Sequence, residues 1–149
     1  MRRWFAAYAL RRQRDPAAIE SLWHALQHDV FSMVRQQSAV ALGKIGTPDV
    51  SSPLIEALWH DSDAAVRQAC AVALGNLGDP LAARDLANVL ANERAAFVRW
   101  DCVLALGQIG SEEIAPILDE LARKDQAEVV RNACREVLVE IEKKNPNGS

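Results

Sequence analysis

The amino-acid sequence predicts an all-α solenoid built from repeated pairs of helices. A Val-Arg dipeptide recurs every 32 residues, and a leucine follows eight residues after each valine. The dipeptides are Val34-Arg35, Val66-Arg67, Val98-Arg99 and Val130-Arg131, and the leucines are Leu42, Leu74, Leu106 and Leu138. Aromatic residues make up only 5% of the chain and alanine is abundant, which favours closely packed helices over a β-sandwich or barrel.

Each repeat unit carries the start signal of a first helix. Asp15, Thr47 and Asp79 each precede a proline, so that a capping oxygen stands before a residue whose missing N–H costs nothing in the first helical turn. Ser111-Glu112 is the corresponding signal in the fourth unit. Apolar positions on this helix then recur through the units at Leu22, Leu54, Leu86 and Leu118.

The second helix of each unit has a buried face and a glycine stop. In the second unit, Val66, Cys70, Ala73, Leu74 and Leu77 follow the i, i+4, i+7, i+8, i+11 spacing of a helix that packs on a core. The glycines that follow suit a left-handed C-terminal cap, and they are Gly46, Gly78 and Gly110.

The repeat also sets the domain boundaries. Subtracting 32 maps Arg35 onto Arg3, so residues 1–14 are interpreted as the second helix of a half unit and not as a secretion signal. A single domain is predicted over residues 1–142, with full units 15–46, 47–78, 79–110 and 111–142, followed by a disordered tail at 143–149. A chain that opens in mid-repeat is either a piece of a longer array or a protein with a half-repeat cap.

Composition limits the classes of partner that this chain is expected to bind. The formal net charge of -3 gives no reason to expect nucleic acid, and the arginines near the N-terminus are interpreted as a solvated helix face. No apolar run approaches the ~20 residues that span a membrane. We therefore expect no membrane partner and a cytoplasmic location.

The segment from Asp61 to Pro80 resembles a known repeat family. Its Val66-Arg67 pair, its Ala-Leu-Gly triplet ending at Gly75 and its Gly-Asp-Pro ending at Pro80 are similar to the HEAT-like repeats named after the phycobilisome lyases. The resemblance covers nearly the whole chain. It implies a right-handed α-α superhelix whose second helices line the concave side. Because this family includes lyase subunits, chaperones, regulators and docking platforms, the resemblance does not give a function.

The resemblance further implies a ladder that joins neighbouring units through a turn acid and the arginine six residues later. The residues concerned are Asp29, Arg35, Asp61, Arg67, Arg99, Asp125 and Arg131. The third unit departs from the pattern with Glu93, which keeps the charge but not the reach of aspartate and puts the third rung in question.

The cysteines and histidines are not expected to bind metal. Cys70, Cys102 and Cys134 occupy one repeat position, so they are strung along the solenoid about 10 Å apart and are interpreted as buried packing residues without a disulfide. His24, His28 and His60 lie near turns. The His-Glu pairs with which the HEAT-like deoxyhypusine hydroxylases hold two irons are absent, and the histidines are interpreted as surface residues.

The second helices carry the candidate binding surface. Phe97, Trp100 and Leu104 share one helix face by their i, i+3, i+7 spacing, and exposed apolar strips that include Trp or Tyr are typical of interaction sites. Matching positions in the other units are Gln36, Val40, Gln68, Val72, Trp4 and Tyr8. Two alternatives stay open: the strip is half buried between neighbouring second helices, or Trp4 and Tyr8 face a missing helix or a dimer partner.

No catalytic set can be assigned from the sequence. It contains no nucleophile–base–acid constellation and no glycine-rich phosphate loop, and no cofactor is predicted. The leading hypothesis is therefore a non-catalytic scaffold that holds a protein or peptide on its concave face. The alternatives are a subunit of a bilin lyase or a tetrapyrrole-binding chaperone, since an apolar aromatic groove suits a flat ring system, and a structural fragment of a larger protein.

Overall fold

The computed structural model describes Arg3 and residues 18–147. In this part of the chain eight α-helices follow one another as four antiparallel pairs, without a β-strand, and the predicted all-α superhelix is confirmed. The helices are α1 (Ile19–His28), α2 (Ser32–Ile45), α3 (Ser51–His60), α4 (Ala64–Leu77), α5 (Ala83–Asn92), α6 (Ala96–Ile109), α7 (Ala115–Lys124) and α8 (Glu128–Lys144). The odd-numbered helices are the first helices of their units, and the even-numbered ones are the second helices.

The first helices begin differently from the prediction. A single 3-10 turn precedes each of α3, α5 and α7, at Pro48–Val50, Pro80–Ala82 and Glu112–Ile114. Pro48 and Pro80 therefore open this turn and not the α-helix itself. The Asp79 carboxylate caps its turn by accepting a bond from the Leu81 amide at 3.0 Å. Thr47 makes no such bond, and its hydroxyl is buried without a partner among the described residues. Asp15 lies outside the described residues.

The second helices end at glycines in the left-handed conformation. Gly46, Gly78 and Gly110 have φ values of 78°, 64° and 73°, and the amide of each bonds to the carbonyl of the leucine four residues earlier. Because a side chain at such φ values is strained, glycine is the residue that closes these helices at least cost, as the sequence predicts.

The last helix runs to Lys144, past the predicted end of the domain at residue 142. Lys143 and Lys144 therefore belong to α8 and not to a disordered tail. The buried stripe of α8 continues to Ile141, and lysines at a helix C-terminus interact favourably with its dipole. Both effects extend the helix beyond the last repeat position.

The second helices form the more closely packed side of the stack. Neighbouring second helices pack along one another far more extensively than neighbouring first helices do. Small residues permit this close approach: a Cβ atom added at Gly43 would lie 2.7 Å from the Cβ of Ala73 on the next second helix. A stack of helix pairs curves toward the side on which its helices lie closer together, so the even-numbered helices line the concave face.

The three cysteines are packing residues in this core. Cys70, Cys102 and Cys134 are free, and each is fully buried. Burial raises the pKa of the Cys102 thiol to about 12 and that of Cys134 to about 11, and it also raises the pKa of Cys70. At neutral pH all three are therefore thiols, and they pack as small apolar side chains in the core.

Candidate functional site

An ion-pair ladder joins the units along one edge of the solenoid. The Arg35 guanidinium donates from Nε to Oδ2 of Asp61 at 2.8 Å and from Nη2 to Oδ1 at 3.1 Å. Arg99 binds Asp125 in the same two-pronged way, at 2.8 and 2.9 Å. In each pair the acid stands 26 residues after the arginine, in the turn of the next unit. The arginine also donates from Nη1 to the backbone carbonyl of the acid in its own unit, as Arg35 does to Asp29 at 2.9 Å. Each arginine thus ties two units together.

The ion pair between the second and third units forms although the acid of the third unit is a glutamate. Arg67 donates to the two Glu93 carboxylate oxygens at 2.9 and 3.0 Å, and Glu93 also accepts a bond from the Ala95 amide at 3.0 Å. Burial works to raise the pKa of Glu93, but the bonds from Arg67 and Ala95 outweigh it and hold the pKa below its ordinary value. The extra methylene of glutamate is accommodated without loss of a bond.

The ladder has different ends. At the N-terminal end Arg3 lies 3.3 Å from the Asp29 carboxylate, and its guanidinium stands 5.3 Å from the centre of the Phe31 ring. This Arg3 contact repeats the 26-residue spacing of the other rungs, so Arg3 adds a rung at this end. At the other end Arg131 donates to the carbonyls of Asp125 and Gln126, and within residues 18–147 it has no carboxylate partner.

The predicted binding strip is exposed at its centre. Phe97 is 47% exposed, Trp100 40% and Val72 42%, all on second helices and therefore on the concave side. The other predicted strip residues within residues 18–147 are half buried, and they are Leu104, Gln68, Gln36 and Val40. Trp4 and Tyr8 lie outside the described residues. The structure thus places a large aromatic surface in the groove at α6, flanked by Val72 on α4.

Sequence reasoning missed Asp101, which follows Trp100 on α6. Its side chain is buried, at 6% exposure, and Oδ2 accepts a bond of 2.7 Å from the side-chain amide of Gln68 on α4. Asp101 therefore lies at the seam between two second helices. The equivalent residues in the other units are Gln37, Ala69 and Ala133. A carboxylate in a column of small or neutral residues was the signal that the sequence offered.

Burial raises the pKa of the Asp101 carboxyl, and the bond from Gln68 offsets only part of this rise. The ionised carboxylate is therefore penalised in the folded chain alone. We expect Asp101→Asn, whose amide oxygen can still accept the Gln68 bond, to raise the Tm at pH 7. As the pH falls, Asp101 is protonated first in the folded chain, so the gap in Tm should narrow toward the ordinary carboxyl pKa of about 4 and close below it. Thermal melts at pH 7 and pH 4 test this, and a lower Tm for the variant at pH 7 would contradict it.

His28 and His60 line shallow clefts on the turn edge and not the concave face. A cleft of about 370 Å³ between the second and third units is bounded by Trp59, His60 and Arg94, and a smaller one of about 270 Å³ between the first and second units includes His28 and His60. Among residues 18–147, no group of three or more His, Cys, Asp or Glu side chains converges as a metal site would require. None of the helices in this range is long and apolar enough to cross a membrane.

Comparison with known proteins agrees with the repeat architecture. A family model described as HEAT repeats matches residues 2–75 and 52–139. The chain belongs to the HEAT-repeat family, and its units are of the phycobilisome-lyase type. A sequence search of curated proteins found no match.

Two solved structures share the fold. The complex of CpcE and CpcF of phycocyanin lyase from Nostoc sp. PCC7120 superposes with a TM-score of 0.78 at 25% identity, over 95% of this chain and 59% of the other. Human deoxyhypusine hydroxylase in complex with glycerol gives a TM-score of 0.73 at 29% identity, over 87% of this chain and 44% of the other. The chain thus spans less than two thirds of the length of either protein.

Proposed function

We propose that this chain is a non-catalytic scaffold that binds a protein or peptide segment along its concave face. The observation that carries the proposal is the exposure of Phe97, Trp100 and Val72 on the inner side of the stack. Large side chains that a folded chain leaves uncovered on one face are typical of interaction sites, and tryptophan is over-represented among binding hot spots.

The ion-pair ladder supports this proposal because it shows which charged residues are not available to a ligand. Arg35, Arg67 and Arg99 have their guanidinium groups occupied by carboxylates and backbone carbonyls, so these residues stabilise the stack and are not available to a ligand. The exposed strip residues Phe97, Trp100 and Val72 take no part in these bonds. A protein partner also agrees with the Nostoc structure, which is a complex of two proteins.

The proposal is tested with peptides selected from a random display library on the immobilised protein. We expect Trp100→Ala to weaken binding of a selected peptide about 30-fold, as loss of a hot-spot aromatic does. Trp59→Ala is the matched control, because Trp59 is 38% exposed but lies on the first helix α3. Circular dichroism establishes that both variants are folded. Equal affinity of Trp100→Ala and wild type would remove the strip from the binding site.

A second candidate function is a bilin lyase subunit or tetrapyrrole carrier. The structural likeness to the phycocyanin lyase complex favours it, and the flat exposed face of Trp100 suits stacking on a planar ring system. Mixing the protein with phycocyanobilin distinguishes the two functions. A shifted and sharpened visible absorption band that Trp100→Ala abolishes would support the carrier, and an unchanged spectrum would leave the peptide scaffold.

A further inference from the structure

Asp101 differs from the buried acids of the ladder in the groups that compensate the charge of its carboxylate. Asp61, Glu93 and Asp125 each accept two bonds from an arginine. The only hydrogen bond that Asp101 receives from the described residues comes from the neutral amide of Gln68. A buried carboxylate is costly unless a cation or several donors compensate it, so the charge of Asp101 is left incompletely balanced.

One oxygen of this carboxylate is free to accept a further bond. Oδ2 is taken by Gln68, whereas Oδ1 receives no hydrogen bond within the described ranges and is not sealed from solvent. Asp101 directly follows Trp100 on α6, with Phe97 one turn before it and Leu104 one turn after it. This i, i+4, i+7 spacing places Asp101 on the same helix face as Phe97 and Leu104.

Basic residues compensate the acids on the neighbouring helix α8. Glu140 is paired with Lys143 at 3.2 Å, and Arg135 lines the same cleft as Glu136 and Glu140. No such cation stands at the matching inner-face positions of α4 or α6, where Asp101 is the one charged residue. A cationic ligand at this point of the groove would therefore be complementary to Asp101.

We propose that Asp101 and Trp100 form a subsite for a lysine or arginine side chain of the bound segment. The cation would bond to Oδ1 and lie against the indole face, while Phe97, Leu104 and Val72 receive apolar residues on either side. This inference rests on the proposed scaffold function and specifies its ligand as a basic residue flanked by apolar ones. A guanidinium or ammonium group supplies the positive charge that Asp101 lacks in the free protein.

The test uses a random peptide library displayed against the immobilised wild-type protein and, in parallel, against Asp101→Asn. We expect wild type to enrich peptides with one lysine or arginine between apolar residues. Asp101→Asn should keep the apolar preference and lose the basic one. Asp119→Asn on the first helix α7, whose side chain is 63% exposed, should select the same peptides as wild type.

A synthetic peptide from the wild-type selection then measures the charge effect directly. Replacing its arginine by citrulline, or its lysine by norleucine, should weaken binding to wild type about tenfold and binding to Asp101→Asn less than about twofold. Enriched peptides without a basic residue, or equal losses on both proteins, would overturn the inference and leave the scaffold function standing. If wild type enriches no peptide at all, the scaffold function fails and the inference fails with it.

Discussion

Replacing Arg67 by methionine will lower the free energy of unfolding by about 3 kcal/mol. The substitution removes both bonds to Glu93 and the bond to the Asp61 carbonyl. It leaves a carboxylate whose side chain is only 5% exposed without its cation, and an uncompensated buried charge is the costly outcome. Methionine keeps most of the apolar stem of arginine, so the loss in the free energy of unfolding measures the contribution of the guanidinium group. Urea denaturation followed by circular dichroism measures it.

The control is Arg123→Met, which removes an ion pair of similar length from the surface. Arg123 and Asp119 lie 3.2 Å apart on α7 with side chains 67% and 63% exposed, and such pairs contribute less than about 1 kcal/mol. Equal losses for the two variants would mean that the ladder is no more than a set of surface ion pairs.

The ladder also predicts how this loss depends on pH. Bonds from the arginines hold the pKa values of Glu93 and Asp125 below normal despite burial, which works to raise them. A depressed carboxyl pKa contributes stability above the unfolded pKa, about 4, and this contribution disappears as pH falls through the folded value. The difference between wild type and Arg67→Met should therefore be full at pH 7 and shrink below about pH 4.

Replacing Gly75 by alanine is the second large effect, and we expect a loss of about 2 kcal/mol. On helix propensity alone, alanine at this position in the last turn of α4 would stabilise by up to about 1 kcal/mol. The added Cβ, however, would lie 2.8 Å from the Cα of Ala105 and 3.0 Å from its Cβ on α6. A backbone atom cannot rotate away from the clash as a side chain can. Relieving the clash therefore requires that α4 and α6 move apart and lose packing along their length.

Gly107→Ala is the matched comparison at the next repeat position. Its Cβ would meet the side chain of Val137, at 2.9 Å from Cγ2, and not the backbone of α8. A side chain in the last described unit can shift, so the gain in propensity should offset most of the clash, leaving a change within about 1 kcal/mol. A stabilised Gly75→Ala protein would refute the close-contact account of this glycine.

The fold combines these stabilising elements with one residue, Asp101, that works against stability. Asp101 is buried without a cation, and its replacement by asparagine is expected to stabilise the free protein. Residues that cost stability in this way are typical of functional sites, where the ligand supplies what the folded chain lacks. The expected rise in Tm and the expected loss of selectivity for basic peptides should therefore occur in the same variant.

The sequence by itself determined the repeat, the helix pairs and the places where the second helices end. These features depend on local signals, such as the spacing of apolar residues along one helix and the left-handed glycine at Gly78, that act over a few residues. It also singled out the aromatic strip at Trp100, because Trp100 departs from the repeat pattern, whereas the ladder residues were implied by the resemblance to a known repeat family.

Only the tertiary structure decided which groups meet between units. Whether Glu93 reaches Arg67, whether a Cβ at Gly75 would strike α6, and whether Asp101 is buried beside Gln68 all depend on the distance between helices about 30 residues apart in the chain. A repeat pattern tells which face a residue occupies, but not how closely the next helix approaches that face. The burial of Asp101, and with it the expected preference for a basic ligand, follows from that approach.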